Sequence, residues 1–222
     1  ACFMAKPMSE CAGSGMHCHL SLQNEVGQNV FAEEESALSP TLRHAVGGAR
    51  QRIAESMLIF APHANSWRRV VSESYAPISP TWGVNNRSVA LRIPDSEPGA
   101  RRIEHRVAGV DANPLLVASV FIAAMIEGLE QGIAPGVETE GNGYEASADA
   151  EAIPGDWAAA IRVAKESDFL KEALGEGMHH TYIAVKEAEY VRVMRAIPEI
   201  DYELYLYTCL LYTSDAADEK RC

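Results

Sequence analysis

The tightest constraint in this chain is alternation. HCHLSL (His17 to Leu22), SVALRI (Ser88 to Ile93) and RIEHRV (Arg102 to Val107) each alternate polar and apolar side chains, the period-two pattern of a strand with one buried face. That parity puts His17 and His19 on one face of the first strand. It puts Arg102, Glu104 and Arg106 on one face of the third. Same-face histidines suit a polar cavity better than an apolar core. Helices fill much of the rest. Ser39-Pro40 reads as an N-cap followed by proline at the first helical position, with the helix running to about Phe60 and closed by Pro62. Asn113-Pro114 opens an apolar helix over Leu115 to Gln131, whose lack of a polar face predicts deep burial. Further helices follow Gly155, one over Thr181 to Ala196. Ala61 to Pro80 is expected to be a long loop, Gly27 to lie in the turn before Val30 and Phe31, and DSEPGA (Asp95 to Ala100) to join the second and third strands. Met16, Met57 and Met125 are expected in the core. His44, His63 and His179-His180 read as ordinary loop or helix residues rather than ligands.

Composition removes several function classes. The 222 residues are 47% hydrophobic and 23% charged, which predicts a packed core rather than disorder. A net charge of -12 disfavours a broad nucleic-acid surface, because phosphates would be repelled. No apolar run reads as long enough to span a bilayer, and no signal-peptide pattern is visible. The five cysteines, Cys2, Cys11, Cys18, Cys209 and Cys222, are odd in number and form no CxxC pair. They predict reduced thiols and a cytoplasmic protein.

Against that acidic background, four basic clusters stand out. NSWRR brings Arg68 and Arg69, NNRSVALRIP brings Arg87 and Arg92, and RRIEHR brings Arg102 and Arg106 around Glu104. The fourth is the histidine strand itself, preceded by Gly13 and Gly15. Arg87 and Arg92 are five residues apart, so an unbroken strand would turn them to opposite faces, whereas a bulge or strand end would let both reach one ligand. Glu104 between two arginines is either an ion-paired surface ladder or a place that holds a cation beside an anion. Arginine grips phosphate or carboxylate at two points, and histidine with glutamate suits a divalent cation. Together these are the parts of phosphoryl transfer, in which catalysis is largely positioning and charge neutralisation.

GSGMHCH, NSWRR, NNRSVALRIP, RRIEHRVAG and DANPLL, in this order and spacing, resemble the C-terminal part of the glutamine synthetase family over about Phe3 to Leu206. The resemblance implies an α+β fold, an antiparallel-rich sheet with flanking helices of the glutamine synthetase catalytic-domain type, here incomplete, over 1–206. It implies ATP and Mg²⁺ (or Mn²⁺) as cofactors, and phosphorylation of a glutamate γ-carboxylate followed by displacement of phosphate by an amine. By motif, His17 and Glu104 resemble ligands of the second metal ion, and His19 resembles the neighbouring histidine of the ATP site. Arg69 and Arg106 resemble the arginines that hold glutamate, and Gly13 a glycine whose backbone contacts it. Arg87 and Arg92 resemble those meeting the nucleotide phosphates and the transferred phosphoryl group, and Arg102 is placed near the nucleotide. A homo-oligomer of the dodecamer type is implied.

Two departures carry information. Ala12 stands where the family usually has asparagine before the glycine. In the flap loop, where glutamine synthetases carry a glutamate that shields the intermediate and helps deprotonate ammonium, this chain has SESYAP with Tyr75 at the position. Glu73, two residues earlier, would not substitute on an extended loop. Tyrosine here resembles the γ-glutamylpolyamine (γ-glutamylputrescine) synthetase branch, in which a larger amine attacks. The expected substrates are therefore glutamate and an organic amine, with ammonia, or a non-catalytic relative, as the alternatives. The family's upstream metal-binding glutamates and small N-terminal domain do not figure in this sequence, so this piece by itself is expected to be inactive. Tyr144 lies where some bacterial relatives carry a regulatory tyrosine, but GNGYEA matches that loop poorly and gives it no role. The string CLLYTSDAADE resembles translated sequencing-adapter read-through, and 207–222 is set apart as a non-native tail.

Overall fold

A computed structural model describes residues 1–32, 38–72, 74–145 and 153–208. Glu73 and nearly all of the expected tail, 209–222, lie outside the described residues. The chain forms two compact units, Ala1–Glu187 and Ala188–Cys222.

The first unit is built on a four-stranded sheet in the order β1-β4-β3-β2, with β1 at Cys18–Leu20, β2 at Trp82–Val84, β3 at Leu91–Ile93 and β4 at Ile103–His105. All three alternating segments are strands, each trimmed at its ends. β1 and β3 both run antiparallel to β4, and β2 runs parallel to β3. The sheet is therefore mixed but antiparallel-rich, as expected, because two of its three strand pairs are antiparallel. The parallel pair arises because strands this short span only ~10 Å, so the Asn85–Ala90 turn is long enough to bring the chain back beside β2. Asn86 holds that turn closed. Its Oδ1 accepts from the Ser88 backbone N–H and hydroxyl at 2.9 and 2.6 Å, which diverts Ser88 from the ladder and shortens the expected Ser88 strand to Leu91–Ile93.

Helices cover the apolar face. Ser39 caps α1 (Pro40–Gln51) by accepting from the Leu42 N–H at 3.1 Å, with Pro40 in the first turn. The helix expected to reach Phe60 breaks at Arg52 and resumes as α2 (Ile53–Phe60). The expected loop of 61–80 contains a short helix, α3 (Ala64–Trp67). Ser66 secures it: its hydroxyl accepts from the His63 N–H and donates to Asp111 Oδ2 at 2.6 Å. α4 (Pro114–Gln131) begins where Asn113 accepts from the Leu115 N–H at 2.9 Å. α1 and α4 meet backbone to backbone: a Cβ at Gly48 would lie 2.1 Å from the Ala124 carbonyl oxygen, and one at Gly128 would lie 2.2 Å from that of His44. Only glycine permits that approach.

α4 corrects two expectations. It is not buried all round, because Leu115 (75% exposed), Ile122 and Ile126 project from the side that α1 does not cover. At 18 residues and mean hydropathy 1.4 it is also long and apolar enough to cross a membrane, contrary to the length argument above. Its inner side instead packs Val117, Val120, Phe121, Ala124 and Met125 into the core. Met57 and Met125 are buried as expected, whereas Met16 is only half-buried. α5 (Trp157–Glu166), α6 (Asp168–Leu174) and the first part of α7 (Glu176–Arg195) complete the unit. Asp156 caps α5 and Ser167 caps α6, and buried His179 bonds the Ala164 carbonyl through Nε2 at 2.8 Å. The second unit holds the end of α7 and α8 (Glu199–Tyr205).

Candidate active site

The register of the sheet assembles the site. His19 pairs with Glu104 across β1 and β4, and Glu104 pairs with Arg92 across β4 and β3. Directly paired residues share a face, as do residues two apart on one strand. His17, His19, Arg92, Arg102, Glu104 and Arg106 therefore stand on one surface. Cys18, His105 and Leu91 form the row behind it, turned into the core. There the His105 ring lies between Phe60 and Phe121, with centroids 4.4 and 5.1 Å away. Complete burial pushes its pKa down to about 3, with His17 and Arg69 adding to the effect.

Glu104 is the hub. It is 3% exposed. Its Oε1 accepts from Arg106 Nη1 at 2.6 Å and lies 3.1 Å from His17 Nδ1, and its Oε2 accepts from Arg92 Nη1 at 2.7 Å. Burial works to raise the Glu104 pKa, but hydrogen bonds from Arg92 and Arg106 outweigh it and hold the carboxyl below its usual range. For His17, burial and the Arg106 charge outweigh the pull of Glu104, so the imidazole is held below its ordinary pKa. The result is one carboxylate between two guanidiniums beside an imidazole that favours its neutral form. This is a locally cationic surface in an acidic chain. Of the two readings left open for Glu104, the exposed ion-paired ladder is ruled out by its burial.

Arg69 is 4% exposed and runs beneath the glycine segment. Its Nη1 donates to the Val107 carbonyl at 2.7 Å and its Nη2 to that of Arg106 at 3.3 Å. A Cβ at Gly13 would lie 2.8 Å from Arg69 Cγ, and one at Gly15 would lie 2.7 Å from Nη2. The glycines that precede the histidines thus make room for Arg69, and Gly15 forms an isolated bridge to Gly109, beyond the end of β4. At the open end, Arg102 Nε donates to His19 Nδ1 at 3.2 Å and Nη1 to the Ala100 carbonyl at 3.0 Å.

Two expected residues stand apart. Arg87 is exposed in the Asn85–Ala90 turn and makes no ion pair or hydrogen bond among the described residues. The strand ends before reaching it, so the opposite-face constraint on Arg87 and Arg92 does not arise. Tyr75 is 81% exposed and sits at φ 62, a left-handed backbone uncommon for a bulky side chain. Two residues given no role by the sequence belong to the site. Asn85 accepts from Arg92 Nη2 at 2.6 Å and so aims that guanidinium. Tyr144 donates its phenol hydrogen to the Ala76 carbonyl at 3.2 Å, and the charges of Arg106 and Arg69 act on it. Neither had a periodic signal, because both sit in turns.

His17 Nδ1 and Glu104 Oε1, 3.1 Å apart, are one nitrogen and one oxygen that could share a cation. Among the described residues no third His, Cys, Asp or Glu joins them. A divalent ion such as Mg²⁺ takes about six ligands, so the pair could form only one edge of such a shell and the other ligands would have to come from elsewhere.

This sheet, its cationic face and the order of its motifs define a class. A model of the glutamine synthetase catalytic domain matches residues 1–205, and the chain belongs to the glutamine synthetase family. It is 41% identical to the gamma-glutamylputrescine synthetase PuuA of Escherichia coli (strain K12), over 93% of this chain and 43% of that protein. It is 32% identical to the glutamine synthetase of Halobacterium salinarum, over 93% of this chain and 47% of that one. Among solved structures, a GmaS/ADP complex superimposes with a TM-score of 0.83 at 30% identity, over 92% of this chain and 49% of that chain. The chain spans about half the length of the curated relatives it matches.

Proposed function

We propose that the full-length protein is an ATP-dependent ligase that joins glutamate to an organic amine as a γ-glutamyl amide. The observation that carries this is Glu104 held between Arg92 and Arg106 beside a neutral-leaning His17. That face offers positive charge to phosphate and carboxylate and an N,O pair to a cation. The likeness to a gamma-glutamylputrescine synthetase and Tyr75 at the flap position support an amine larger than ammonia.

In this proposal Arg69, Arg106 and the Gly13 backbone hold glutamate. His19, Arg102 and Arg92 hold the nucleotide; that a structural neighbour was solved as a GmaS/ADP complex supports nucleotide binding, without assigning residues. Arg87 meets the transferred phosphoryl group. The γ-carboxylate oxygen attacks the terminal phosphorus of ATP and ADP leaves. The amine nitrogen then attacks the acyl carbon, phosphate departs, and the nitrogen loses a proton. A Mg²⁺ (or Mn²⁺) ion, held in part by His17 and Glu104, would neutralise phosphate charge. Arginine donors fixed before substrate arrives stabilise the charge that grows on the phosphoryl oxygens. Tyr75 replaces a carboxylate that would attract ammonium with a neutral phenol, leaving an organic amine to bind through its carbon chain. We further infer a cytoplasmic protein, a reading supported by the free thiols of Cys2, Cys11 and Cys18 among the described residues, and, from the family resemblance, a homo-oligomer of the dodecamer type. The family match stopping at residue 205 supports 207–222 as a non-native tail.

An amine panel on the full-length protein tests the reading. Phosphate release with putrescine and glutamate, but little with ammonium, is expected. Preference for ammonium over every amine would make it a glutamine synthetase, and no turnover with any nitrogen donor would make it a non-catalytic relative.

A further inference from the structure

The segment Glu138 to Tyr144 is tied to two parts of the site. Glu138 Oε1 accepts from the Val84 N–H at 2.7 Å. Asn86 Nδ2 donates to the Thr139 and Gly141 carbonyls at 3.0 and 2.9 Å. The Gly143 N–H donates to Ser88 Oγ at 2.8 Å. Asn86 and Ser88 flank Arg87, so this segment also grips the Arg87 turn. The contact is close: a Cβ at Gly143 would lie 2.7 Å from the Ser88 carbonyl oxygen. Asn142 shapes the turn by accepting from the Tyr144 N–H at 3.2 Å, and Tyr144 then reaches across to the opposite loop.

What it reaches is the backbone that carries Tyr75. The phenol donates to the Ala76 carbonyl at 3.2 Å, and its oxygen is hydrogen-bonded by the Tyr75 backbone. Tyr75 has φ 62, and a bulky residue keeps such a backbone only where its surroundings hold it there. The Tyr75 side chain points to solvent, so its own ring does not anchor it. Burial raises the Tyr144 pKa above its ordinary value, which keeps the phenol protonated as a donor near neutral pH.

We propose that Tyr144 is a positioning residue for amine selection, holding the Tyr75–Ala76 backbone beside Arg69 and Arg106 while Gly143 seats it on the Arg87 turn. This rests on the amine-ligase reading above.

The test is Tyr144→Phe in the full-length protein. It removes the hydroxyl and keeps the ring. One hydrogen bond supports a change of about tenfold. The KM for the amine should therefore rise by about that factor with kcat and the KM for ATP nearly unchanged, and hydrogen exchange at the Tyr75 amide should speed up similarly. Gly143→Ala should reproduce both effects with the phenol intact, because its Cβ displaces the segment from Ser88. Unchanged exchange at Tyr75 in both variants overturns the brace. Faster exchange with an unchanged amine KM overturns its role in selection. Exchange is read without turnover, so it decides the brace even if the amine panel on the unaltered protein refutes the ligase reading.

Discussion

The floor of the site and its rim are built from similar residues by opposite means. On the floor, Glu104, Arg92, Arg106 and Arg69 are fixed by strand register and by one another. Both Glu104 oxygens accept from arginine, and Arg69 is tied to two carbonyls. On the rim, Arg87 and Tyr75 project into solvent from turns. In the proposed reading a floor residue would therefore serve folding and chemistry at once, and a rim residue chemistry alone. Substitutions should separate the two regions by whether stability moves with activity.

Glu104→Ala should have the largest effect. Losing the shared carboxylate leaves Arg92 and Arg106 without their common partner, and breaking a buried ion pair from one side costs about 3–5 kcal/mol. Phosphate release should also fall on the order of 10²–10³-fold, the usual loss on removing one preorganised charge-stabilising group. A urea titration and a steady-state phosphate assay check both. An unmoved urea midpoint would show that the floor is not interdependent. Arg87→Ala should come next and separate the regions most sharply. It should cost about 10²-fold in kcat while stability stays within about 0.5 kcal/mol, as for exposed substitutions. A comparable loss of stability would place Arg87 on the floor after all.

The same division explains what the sequence could reveal. Strand parity predicts which residues share a face, and His17, His19, Arg102, Glu104 and Arg106 obey it because a strand fixes side-chain direction locally. Caps at Ser39 and Asn113 were legible for the same reason, since one side chain and the next turn of backbone suffice. Parity cannot say which strands neighbour one another. The pairing of Arg92 with Glu104, and the parallel β2, depend on the Asn85–Ala90 turn. The exposed side of α4 was illegible too, because an all-apolar helix does not reveal how many of its sides find partners. Asn85 meets Arg92 across a turn and Tyr144 meets Ala76 far along the chain, and no periodic signal marks either contact. The substrate roles of the arginines came from family resemblance, not from spacing.

Behind the floor, His105→Phe gives a smaller effect that depends on pH. With a folded pKa of about 3 and an unfolded value near 6.5, His105 is neutral in the fold and protonates on unfolding between those limits. The unfolded state binds more protons there, so stability falls as pH drops below about 6.5, by up to about 1.4 kcal/mol per pH unit. Phenylalanine between Phe60 and Phe121 removes the His105 share of that slope, leaving the share of His17, whose pKa is also lowered. Glu104, with a lowered pKa, loses its contribution only as pH falls below the usual carboxylate range near ~4.3, so the two windows are distinct. Thermal melts from pH 7 to 5 check the prediction. An equally steep decline in the variant would assign the acid sensitivity to groups other than His105.

Tyr75→Glu should have the smallest effect and tests the rim most finely. Returning a carboxylate to the flap position gives ammonium a counter-charge, and the preference for an organic amine over ammonium, as a ratio of kcat/KM values, should fall by roughly tenfold, equivalent to ~1.4 kcal/mol. The urea midpoint should stay put, because the ring that is removed is 81% exposed and glutamate meets the same left-handed backbone. A simultaneous drop in turnover with both nitrogen donors would mean that the substitution disturbs the 75–76 backbone itself. Tyr75→Gly distinguishes the cases, since glycine accepts φ 62 without strain and offers no charge. If glycine matches glutamate, amine choice follows from the shape of the loop rather than from the side chain it presents.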